Sequence, residues 1–420
     1  MNTENGNLEM TGLIRVTQCR ICKGSDLMSF LDLGNQPPAN SFLRKEDLEK
    51  PEPMYPLRIA YCRTCGLSQL LELVDPELLF RDYVYFSNVM PSSPHFRAYA
   101  EKVVKQFASS PNDLVVEIGS NDGHVLSVIK EMGPRILGVD PARNIAAIAN
   151  TNGVETIPEF FTKAIGQRIY KEKGHASLII ANNVVAHTDN HHDLAAGIEA
   201  LLAPNGVFVL EAPHLLDMFD NLAFDTTYHE HMSYLSLRPL VYLFEKIGMQ
   251  VFDVEMTAAQ GNSLRLYACR RGMRNVKPSV QEMLDREHAT GLDNEDAYRE
   301  LARRIAALKA EVVSVVTDLK KQGKKIAAYG APAKGNTLLN YFGLDADILD
   351  YATEELPSKI GFYTPGTHIP VMDINWAHQN PPDYYLMLAW NYKNVILQKE
   401  DMFRKNGGKF IIPIGSERIV

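Results

Sequence analysis

The chain has 420 residues, 45% hydrophobic and 22% charged, so it is long enough for two or three domains with substantial cores and too apolar to be largely disordered. The formal net charge is −8 and no block is dense in lysine or arginine, which argues against nucleic acid as a partner. No apolar run has the length of a membrane span and the polar first residues contain no signal sequence, so the sequence predicts a cytoplasmic protein without a membrane partner.

Four of the five cysteines form two matched Cys-x-x-Cys pairs near the start of the chain. The first pair is Cys19 and Cys22, and the second is Cys62 and Cys65. Two such turns supply four thiolates, which a closed tetrahedral Zn²⁺ site requires. The sequence therefore predicts structural zinc in an N-terminal module, with a redox pair or unrelated thiols as the alternatives. Cys269 lies in a strand-like run and is predicted to be a core thiol.

A cluster of aromatic and polar residues follows this module, before a proline-rich break at 90–94. Tyr83, Tyr85 and Asn88 belong to it. A tyrosine in a linker is usually a packing residue. These side chains border the next domain, however, so we also consider them as candidates for contact with a substrate.

The stretch 114–126 has the pattern of a buried parallel strand followed by a glycine-containing turn and a helix. Its motif is Glu-x-Gly-x-x-x-Gly, and Asp140 ends the next strand at about the spacing at which a carboxylate meets ribose hydroxyls. The motif resembles the first motif of class I S-adenosylmethionine (SAM) methyltransferases, and an ordinary βα turn is the alternative. The candidate cofactor ligands are Glu117, Gly119, Ser120, Asn121, Gly123, Asp140, Asn182 and Asn183.

Strand-like and helix-like segments alternate from about residue 95 to 260, which predicts a doubly wound α/β sheet. The fourth strand is expected over 176–181, and the polar residues Asn182, Asn183 and His187 follow it. Polar side chains at the carboxyl end of such a strand face the cofactor and the substrate. Two further runs, 249–254 and 263–269, are expected to close the sheet.

The densest polar segment of the chain is 224–236. It places Tyr228, Glu230 and His231 within four positions, and His229 lies between them. Titratable groups are costly to bury without a purpose, so the segment favours acid–base chemistry. A metal site and a solvated loop are the alternatives, and the metal site is disfavoured because the helical His-Glu-x-x-His spacing is absent.

The paired cysteines, the Glu-x-Gly-x-x-x-Gly turn and the Tyr-His-Glu-His segment, in this order, resemble the sugar C-methyltransferases that act on nucleotide-linked 4-keto deoxysugars. The resemblance covers nearly the whole chain. It implies a zinc-binding domain over 1–90, a SAM-dependent methyltransferase domain over 91–275, and a C-terminal Rossmann-like α/β domain over 276–420 that holds the nucleotide sugar. It also implies catalytic roles for Tyr228, Glu230, His231 and His187. The family's tyrosine after the zinc module corresponds to Tyr83 or Tyr85.

The C-terminal part begins with a charged segment, 278–322, whose apolar residues recur at helical spacing and predict one long helix. A strand, a glycine-containing loop and a helix follow from 325. Lys334 and Asn336 at that helix start would suit a diphosphate, and a surface lysine on a plain βα turn is the alternative. Further strands are predicted at 346–350, 384–388 and 409–413. Lys359, Tyr363 and His368 are candidates for the nucleotide site.

The sequence thus predicts a SAM-dependent C-methyltransferase that deprotonates a thymidine- or guanosine-diphosphate 4-keto-6-deoxysugar next to its ketone, at C3, and methylates that carbon. A carbon nucleophile requires a positioned base and a group that stabilises the enolate. We expect His231 to be the base, Glu230 to orient the site, and Tyr228 and His187 to bind sugar oxygens or the enolate. The alternatives are an O- or N-methyltransferase acting on a small polar metabolite and a non-catalytic zinc-containing binding protein.

Overall fold

A computed structural model describes residues 12–81, 94–257 and 262–420 of the chain. The predictions made for Tyr83, Tyr85 and Asn88 lie outside these residues. No helix in the described part combines the length and the apolar character that a membrane span needs.

The N-terminal module is built on a long β-hairpin between the two cysteine pairs. Its elements are β1 (Leu13–Arg15), β2 (Leu27–Gln36), β3 (Tyr55–Cys62), β4 (Ser68–Leu70), β5 (Glu72–Val74) and α1 (Pro76–Phe80). Strands β2, β3 and β4 are antiparallel neighbours, and β1 pairs with β5. The segment from β2 to β3 contains a loop, 37–43, and a short 3₁₀ turn (Lys45–Asp47).

The middle of the chain forms a seven-stranded sheet with helices on both faces. Its strands, with one short extra strand, are β6 (Leu114–Ile118), β7 (Arg135–Val139), β8 (Thr156–Ile157), β9 (Ala176–Asn182), β10 (Leu202–Pro213), β11 (Ser233–Tyr234), β12 (Met249–Thr257) and β13 (Ser263–Arg270). Its helices are α2 (Pro94–Phe107), α3 (His124–Lys130), α4 (Arg143–Thr151), α5 (Lys163–Lys173), α6 (His191–Leu201), α7 (Leu215–Asn221) and α8 (Leu237–Lys246).

The strand order of this sheet is β12-β13-β10-β9-β6-β7-β8. Strands β6 to β10 are parallel, and β13 is antiparallel to both of its neighbours. All five residues of β6 are buried, as expected for a central strand covered on both faces. This is the class I methyltransferase fold that the motifs predicted. Chain order reverses between β6 and β9, which is where such sheets bind cofactors.

The short strand β11 leaves this domain and pairs antiparallel with β4 of the N-terminal module. The four-stranded sheet of that module therefore has the order β11-β4-β3-β2. As a result, the polar segment that precedes β11 lies where the two parts of the chain meet.

The C-terminal part forms a five-stranded parallel sheet with the order β16-β15-β14-β17-β18. Its elements are α9 (Pro278–Thr290), α10 (Glu295–Lys321), β14 (Ile326–Tyr329), α11 (Ala333–Phe342), β15 (Ala352–Glu354), β16 (Val371–Asp373), α12 (Ile374–Gln379), β17 (Tyr384–Met387), α13 (Lys393–Lys399), α14 (Asp401–Lys405) and β18 (Lys409–Ile411). Chain order reverses at the central strand β14, so the sheet is doubly wound and Rossmann-like, as predicted.

Two predictions for this part are wrong. The single helix expected over 278–322 is two helices, because Gly291 takes a left-handed φ of +90° and ends α9, and Asn294 then caps α10 by accepting from the Asp296 backbone N–H. The strand expected over 346–350 is a turn, in which the Asp345 carboxylate accepts from the Asp347 backbone N–H at 3.0 Å. The strand of this unit follows at β15.

Candidate active site

The four paired cysteines come together at the N-terminal module. Cys19 and Cys22 lie on the turn before β2, and Cys62 and Cys65 lie at the end of β3 and on the turn after it. Their sulfur atoms all lie within 4.8 Å of one another, with Cys19 and Cys65 at 3.5 Å and Cys22 and Cys62 at 3.4 Å. A tetrahedral zinc thiolate site with Zn–S bonds of about 2.3 Å holds its sulfur atoms ~3.8 Å apart. The four thiols therefore fit structural zinc.

The turn after β6 is shaped to bring backbone close to a ligand. Gly119 and Gly123 have φ values of +70° and +80°, and a Cβ on either would lie less than 3.0 Å from Val184 or Val154 respectively. Both positions therefore need glycine for conformation and for space. Asp140 holds the turn from the end of β7, since its carboxylate accepts from the Asn121 N–H at 2.8 Å.

Several polar atoms at this turn are buried and carry no protein hydrogen bond. They include Ser120 Oγ and Asn183 Oδ1, and within the described chain neither has a hydrogen-bond partner. Burial, together with the charges of Asp140 and Asp122, raises the pKa of Glu117 well above its ordinary value. Such groups fit a ligand with hydroxyl, ammonium and amide-like nitrogen groups, and SAM has these. The predicted cofactor residues thus lie around one place at the carboxyl ends of β6, β7 and β9.

Tyr228 and His231 form a hydrogen-bonded pair. His231 Nδ1 lies 2.7 Å from the carbonyl oxygen of Thr226, so Nδ1 carries the proton and donates it. The other nitrogen, Nε2, is therefore the acceptor, and the Tyr228 hydroxyl donates to it at 2.8 Å. The two rings lie with centroids 4.0 Å apart. Burial lowers the pKa of His231 to about 4, so the imidazole is neutral at neutral pH and its Nε2 can accept a proton.

His187 completes this cluster from the other side. It lies on a 3₁₀ turn (Val185–His187) just after β9, and its ring meets that of His231 edge to face at 4.9 Å. Phe80, the last residue of α1, packs edge-on against His187 at 5.6 Å. Burial and the neighbouring His231 lower the pKa of His187 well below its ordinary value. His229, in contrast, packs against Tyr55 of the N-terminal module and does not join these rings.

Glu230 is buried and is bound by a residue that the sequence analysis missed. The side-chain amide of Asn40 donates to Glu230 Oε1 at 2.6 Å. Asn40 lies on the loop 37–43 of the N-terminal module, far from Glu230 in sequence. A signal for it was present in the turn-forming Pro-Pro-Ala-Asn sequence, but nothing in that sequence indicated its partner.

Lys334 and Lys359 converge on the loop between β14 and α11. Lys359 donates to the carbonyl of Ala331 in this loop at 3.0 Å, and Lys334 is the second residue of α11. Lys334 also donates to Asn391 at 2.5 Å and lies over the ring of Trp390. Burial lowers the pKa of both amines. Two desolvated cations beside one loop form a setting that an anion would stabilise.

The other C-terminal candidates contact the N-terminal module. The Asn336 amide donates to the carbonyl of Ala39 at 2.8 Å. Tyr363 pairs through its backbone with Leu43. His368 Nε2 lies 3.2 Å from Glu52. These residues therefore join two parts of the chain around the loop that carries Asn40.

Comparison with known families gives three matches in chain order. A zinc binding domain matches residues 19–80, a methyltransferase domain matches residues 94–254, and a C-methyltransferase C-terminal domain matches residues 258–415.

Among solved structures, a SAM-dependent methyltransferase from Anabaena variabilis is 13% identical, with a TM-score of 0.35 over 44% of this chain and 90% of that chain. The magnesium protoporphyrin IX methyltransferase of Synechocystis, solved with bound S-adenosylhomocysteine, is 13% identical, with a TM-score of 0.33 over 42% of this chain and 81% of that chain.

A similarity over the full length comes from the C-methyltransferase NovU of Streptomyces niveus. It is 38% identical over 414 residues, which cover 98% of this chain and 99% of NovU. This similarity and the three domain matches confirm the resemblance drawn from the motifs. The chain belongs to the sugar C-methyltransferase family and is a SAM-dependent C-methyltransferase with a structural zinc site.

Proposed function

We propose that the enzyme methylates C3 of a nucleoside-diphosphate 4-keto-6-deoxysugar, with His231 as the base. The observation that carries this proposal is a chain of contacts from the cofactor turn to the rings of His187 and His231. Val184 packs against Gly119 of the turn, and three residues later His187 meets the His231 ring. These contacts support a proton-accepting nitrogen near the place proposed for the methyl donor.

The chemistry fits a carbon acid. Bound SAM supplies an electrophilic methyl group. His231 Nε2 accepts the proton from the carbon next to the ketone, which leaves an enolate. Tyr228, which donates to Nε2 in the free enzyme, turns its hydroxyl to the enolate oxygen. The enolate carbon would then be the nucleophile for the methyl group of bound SAM, with S-adenosylhomocysteine as the leaving group.

Glu230 and His187 would orient the sugar. The Glu230 carboxylate is fixed by Asn40 and is close enough to Lys359 for its charge to act on that amine. His187 is neutral, because burial lowers its pKa, and can donate a hydrogen bond to a sugar oxygen. These roles suit a polar, uncharged ring better than an amine or a carboxylate substrate.

The nucleotide would lie on the C-terminal domain, with its diphosphate at the loop between β14 and α11. Lys334 and Lys359 flank this loop, and a diphosphate there would add charge-assisted hydrogen bonds to the ion pair that Lys359 makes with Glu354 at 3.7 Å. Asn336, Tyr363 and His368 would shape the wall that this domain shares with the N-terminal module. We propose domain boundaries near 90 and 275, a cytoplasmic location, and thymidine or guanosine as the nucleoside.

The test is methyl transfer with the purified zinc enzyme, SAM, and freshly generated thymidine- and guanosine-diphosphate 4-keto-6-deoxysugars. We expect one added methyl by mass spectrometry and its placement on C3 by NMR. A parallel incubation in D₂O with S-adenosylhomocysteine should exchange the C3 proton without methylation.

A methyl on another ring carbon would overturn the C3 assignment. The absence of both methyl transfer and C3 deuterium exchange with either sugar would overturn the proposed substrate. Deuterium exchange without methyl transfer would support the assignments of the sugar and of the base, and would show that the methyl donation step fails.

A further inference from the structure

The turn that precedes the catalytic segment is held from the C-terminal domain. This turn is the 3₁₀ turn Phe224–Thr226. The Phe224 ring is fully buried and packs against Tyr341 and Phe342 of α11, with centroids 5.5 and 5.6 Å away. The turn is therefore fixed by another domain as well as by its own.

The second residue of the turn makes a directional contact with the same domain. Trp390 Nε1–H donates to Asp225 Oδ2 at 2.7 Å. Asp225 is fully buried, and its other oxygen has no hydrogen-bond partner in residues 12–81, 94–257 and 262–420. The hydrogen bond from the indole therefore fixes the orientation of the Asp225 carboxylate.

The third residue of the turn sets the state of the imidazole. The Thr226 carbonyl takes the Nδ1 proton of His231, and this bond leaves Nε2 free to act as the acceptor. A shift of the turn would lengthen this bond and would free the imidazole to rotate or to change tautomer. The path from Trp390 to His231 therefore consists of two hydrogen bonds and one residue of backbone.

We infer that Trp390 is a positioning residue for His231, acting through Asp225 and the Phe224–Thr226 turn. The inference rests on the proposed role of His231 as base. Trp390 also lies under Lys334, at 5.0 Å from ring centroid to Nζ. The residue that orients the base is thus part of the wall of the proposed diphosphate site. A nucleotide bound there would therefore affect the position of Trp390 and, through it, that of His231.

The test uses Trp390→Phe, which keeps an aromatic ring and removes the N–H donor. The matched control is Trp376→Phe, because Trp376 is the other tryptophan of the chain, lies in α12 of the same domain, and packs edge-on against Tyr351. Asp225→Asn keeps an acceptor oxygen for the indole, whereas Asp225→Leu keeps none. Each variant is studied as the full zinc-loaded chain.

The first readout does not depend on turnover. Long-range ¹H–¹⁵N correlation spectra of ¹⁵N-histidine-labelled protein report the tautomer of each imidazole, and His231→Gln assigns the His231 signals. In Trp390→Phe and Asp225→Leu, we expect the His231 signals to shift or to show an average of the two tautomers. In Trp376→Phe and Asp225→Asn, we expect the signals of the Nδ1–H tautomer to be unchanged. The second readout is methyl transfer, where Trp390→Phe should lower kcat roughly tenfold with an unchanged KM for SAM.

Unchanged His231 signals in Trp390→Phe would overturn the inference, whether or not either sugar is methylated. So would equal changes in Trp390→Phe and Trp376→Phe, because these would show a general loss of stability. Wild-type protein that shows neither methyl transfer nor C3 deuterium exchange with either sugar, while the spectra behave as expected, would remove the proposed substrate and leave the positioning role.

Discussion

The tautomer of one imidazole decides what the candidate site can do. The Thr226 carbonyl accepts a hydrogen bond from Nδ1–H of His231. The nitrogen of His231 that can accept a proton is therefore Nε2, and the Tyr228 hydroxyl donates to it. The proposed base and the proposed acid are therefore hydrogen-bonded to each other before any substrate arrives. Enolate formation needs such a pair, since one group takes the carbon proton and the other stabilises the oxygen.

Replacement of this base should separate binding from chemistry. We expect His231→Gln to lower methyl transfer by roughly 10²–10⁴-fold, the usual contribution of a positioned base, with little change in SAM affinity. The measurements are turnover by mass spectrometry and SAM binding by calorimetry. His288→Gln is the control, because His288 is exposed and pairs with Asp293 at the surface. Turnover near the wild-type rate in His231→Gln would remove the assignment.

The pH profile should report the burial of this imidazole. Burial lowers the pKa of His231 to about 4, so the neutral, basic form persists as the pH falls through the ordinary value of about 6.5 and is lost only near 4. We therefore expect kcat/KM for the sugar to stay level from pH 8 to pH ~6 in enzyme that retains its zinc. An acidic limb with an apparent pKa near 6.5 would contradict this.

Sequence reasoning reaches some of these residues and not others for a physical reason. Tyr228, Glu230 and His231 are adjacent in the chain, and the cost of burying them makes them visible. Asn40 is not visible in this way, because its role comes from a contact with Glu230 that only the folded chain creates. The same is true of Asp225 and Trp390.

At the level of elements, the turn between β6 and α3 is fixed by two separate constraints at Gly119. Its φ of +70° disfavours any side chain, and a Cβ would lie 2.7 Å from Val184. Val184 belongs to the segment that leads from β9 to His187. The cofactor turn and the imidazole cluster are therefore packed against each other.

A methyl group at this position should weaken cofactor binding. We expect Gly119→Ala to reduce SAM affinity by roughly 10–100-fold, from backbone strain of about 1–3 kcal/mol together with the contact to Val184. Gly174→Ala is the matched control. Gly174 follows α5 and also has a positive φ, +87°, but a Cβ there would meet no atom of the described chain within 4 Å. The added change Val184→Ala should restore part of the affinity.

Calorimetry with SAM measures all three variants. Wild-type affinity in Gly119→Ala would show that the turn does not hold the cofactor. Equal losses in Gly119→Ala and Gly174→Ala would instead point to strain in general.

The helices and strands were predicted correctly where hydrophobic pattern and turn residues agreed, and wrongly where the two disagreed. The fully buried strand β6 and the glycine turn after it match the sequence prediction. The apolar pattern from 278 to 322 continued through Gly291, and a helical period alone does not reveal a left-handed glycine that breaks it. In 346–350, the run of Ile348 and Leu349 suggested a strand, but the flanking aspartates favour a turn.

For the whole molecule, the zinc module borders the candidate active site. Its loop 37–43 supplies Asn40 to Glu230 and the Ala39 carbonyl to Asn336. The turns that hold the four cysteines lie at the base of the hairpin that carries this loop. We therefore expect zinc to affect turnover through the position of this loop.

Removal of zinc should reduce methyl transfer more than cofactor binding. We expect chelation to lower turnover at least about tenfold, with SAM affinity changed less than about threefold, because the cofactor turn belongs to another sheet. Added Zn²⁺ should restore activity. Asn40→Ala should reproduce part of the loss in zinc-loaded enzyme, and Ser41→Ala, its exposed neighbour, should not. Wild-type turnover in zinc-free protein would contradict the role given to the module.

The pairing of β11 with β4 has a consequence for how the chain folds during synthesis. Tyr234 pairs with Ser68, so the sheet of the N-terminal module lacks its edge strand until most of the methyltransferase domain has been made. Until then β4 presents an open strand edge, which is a site for mispairing with other chains. The N-terminal module therefore cannot be completed before the methyltransferase domain, and its final strand is made together with His231, the proposed base.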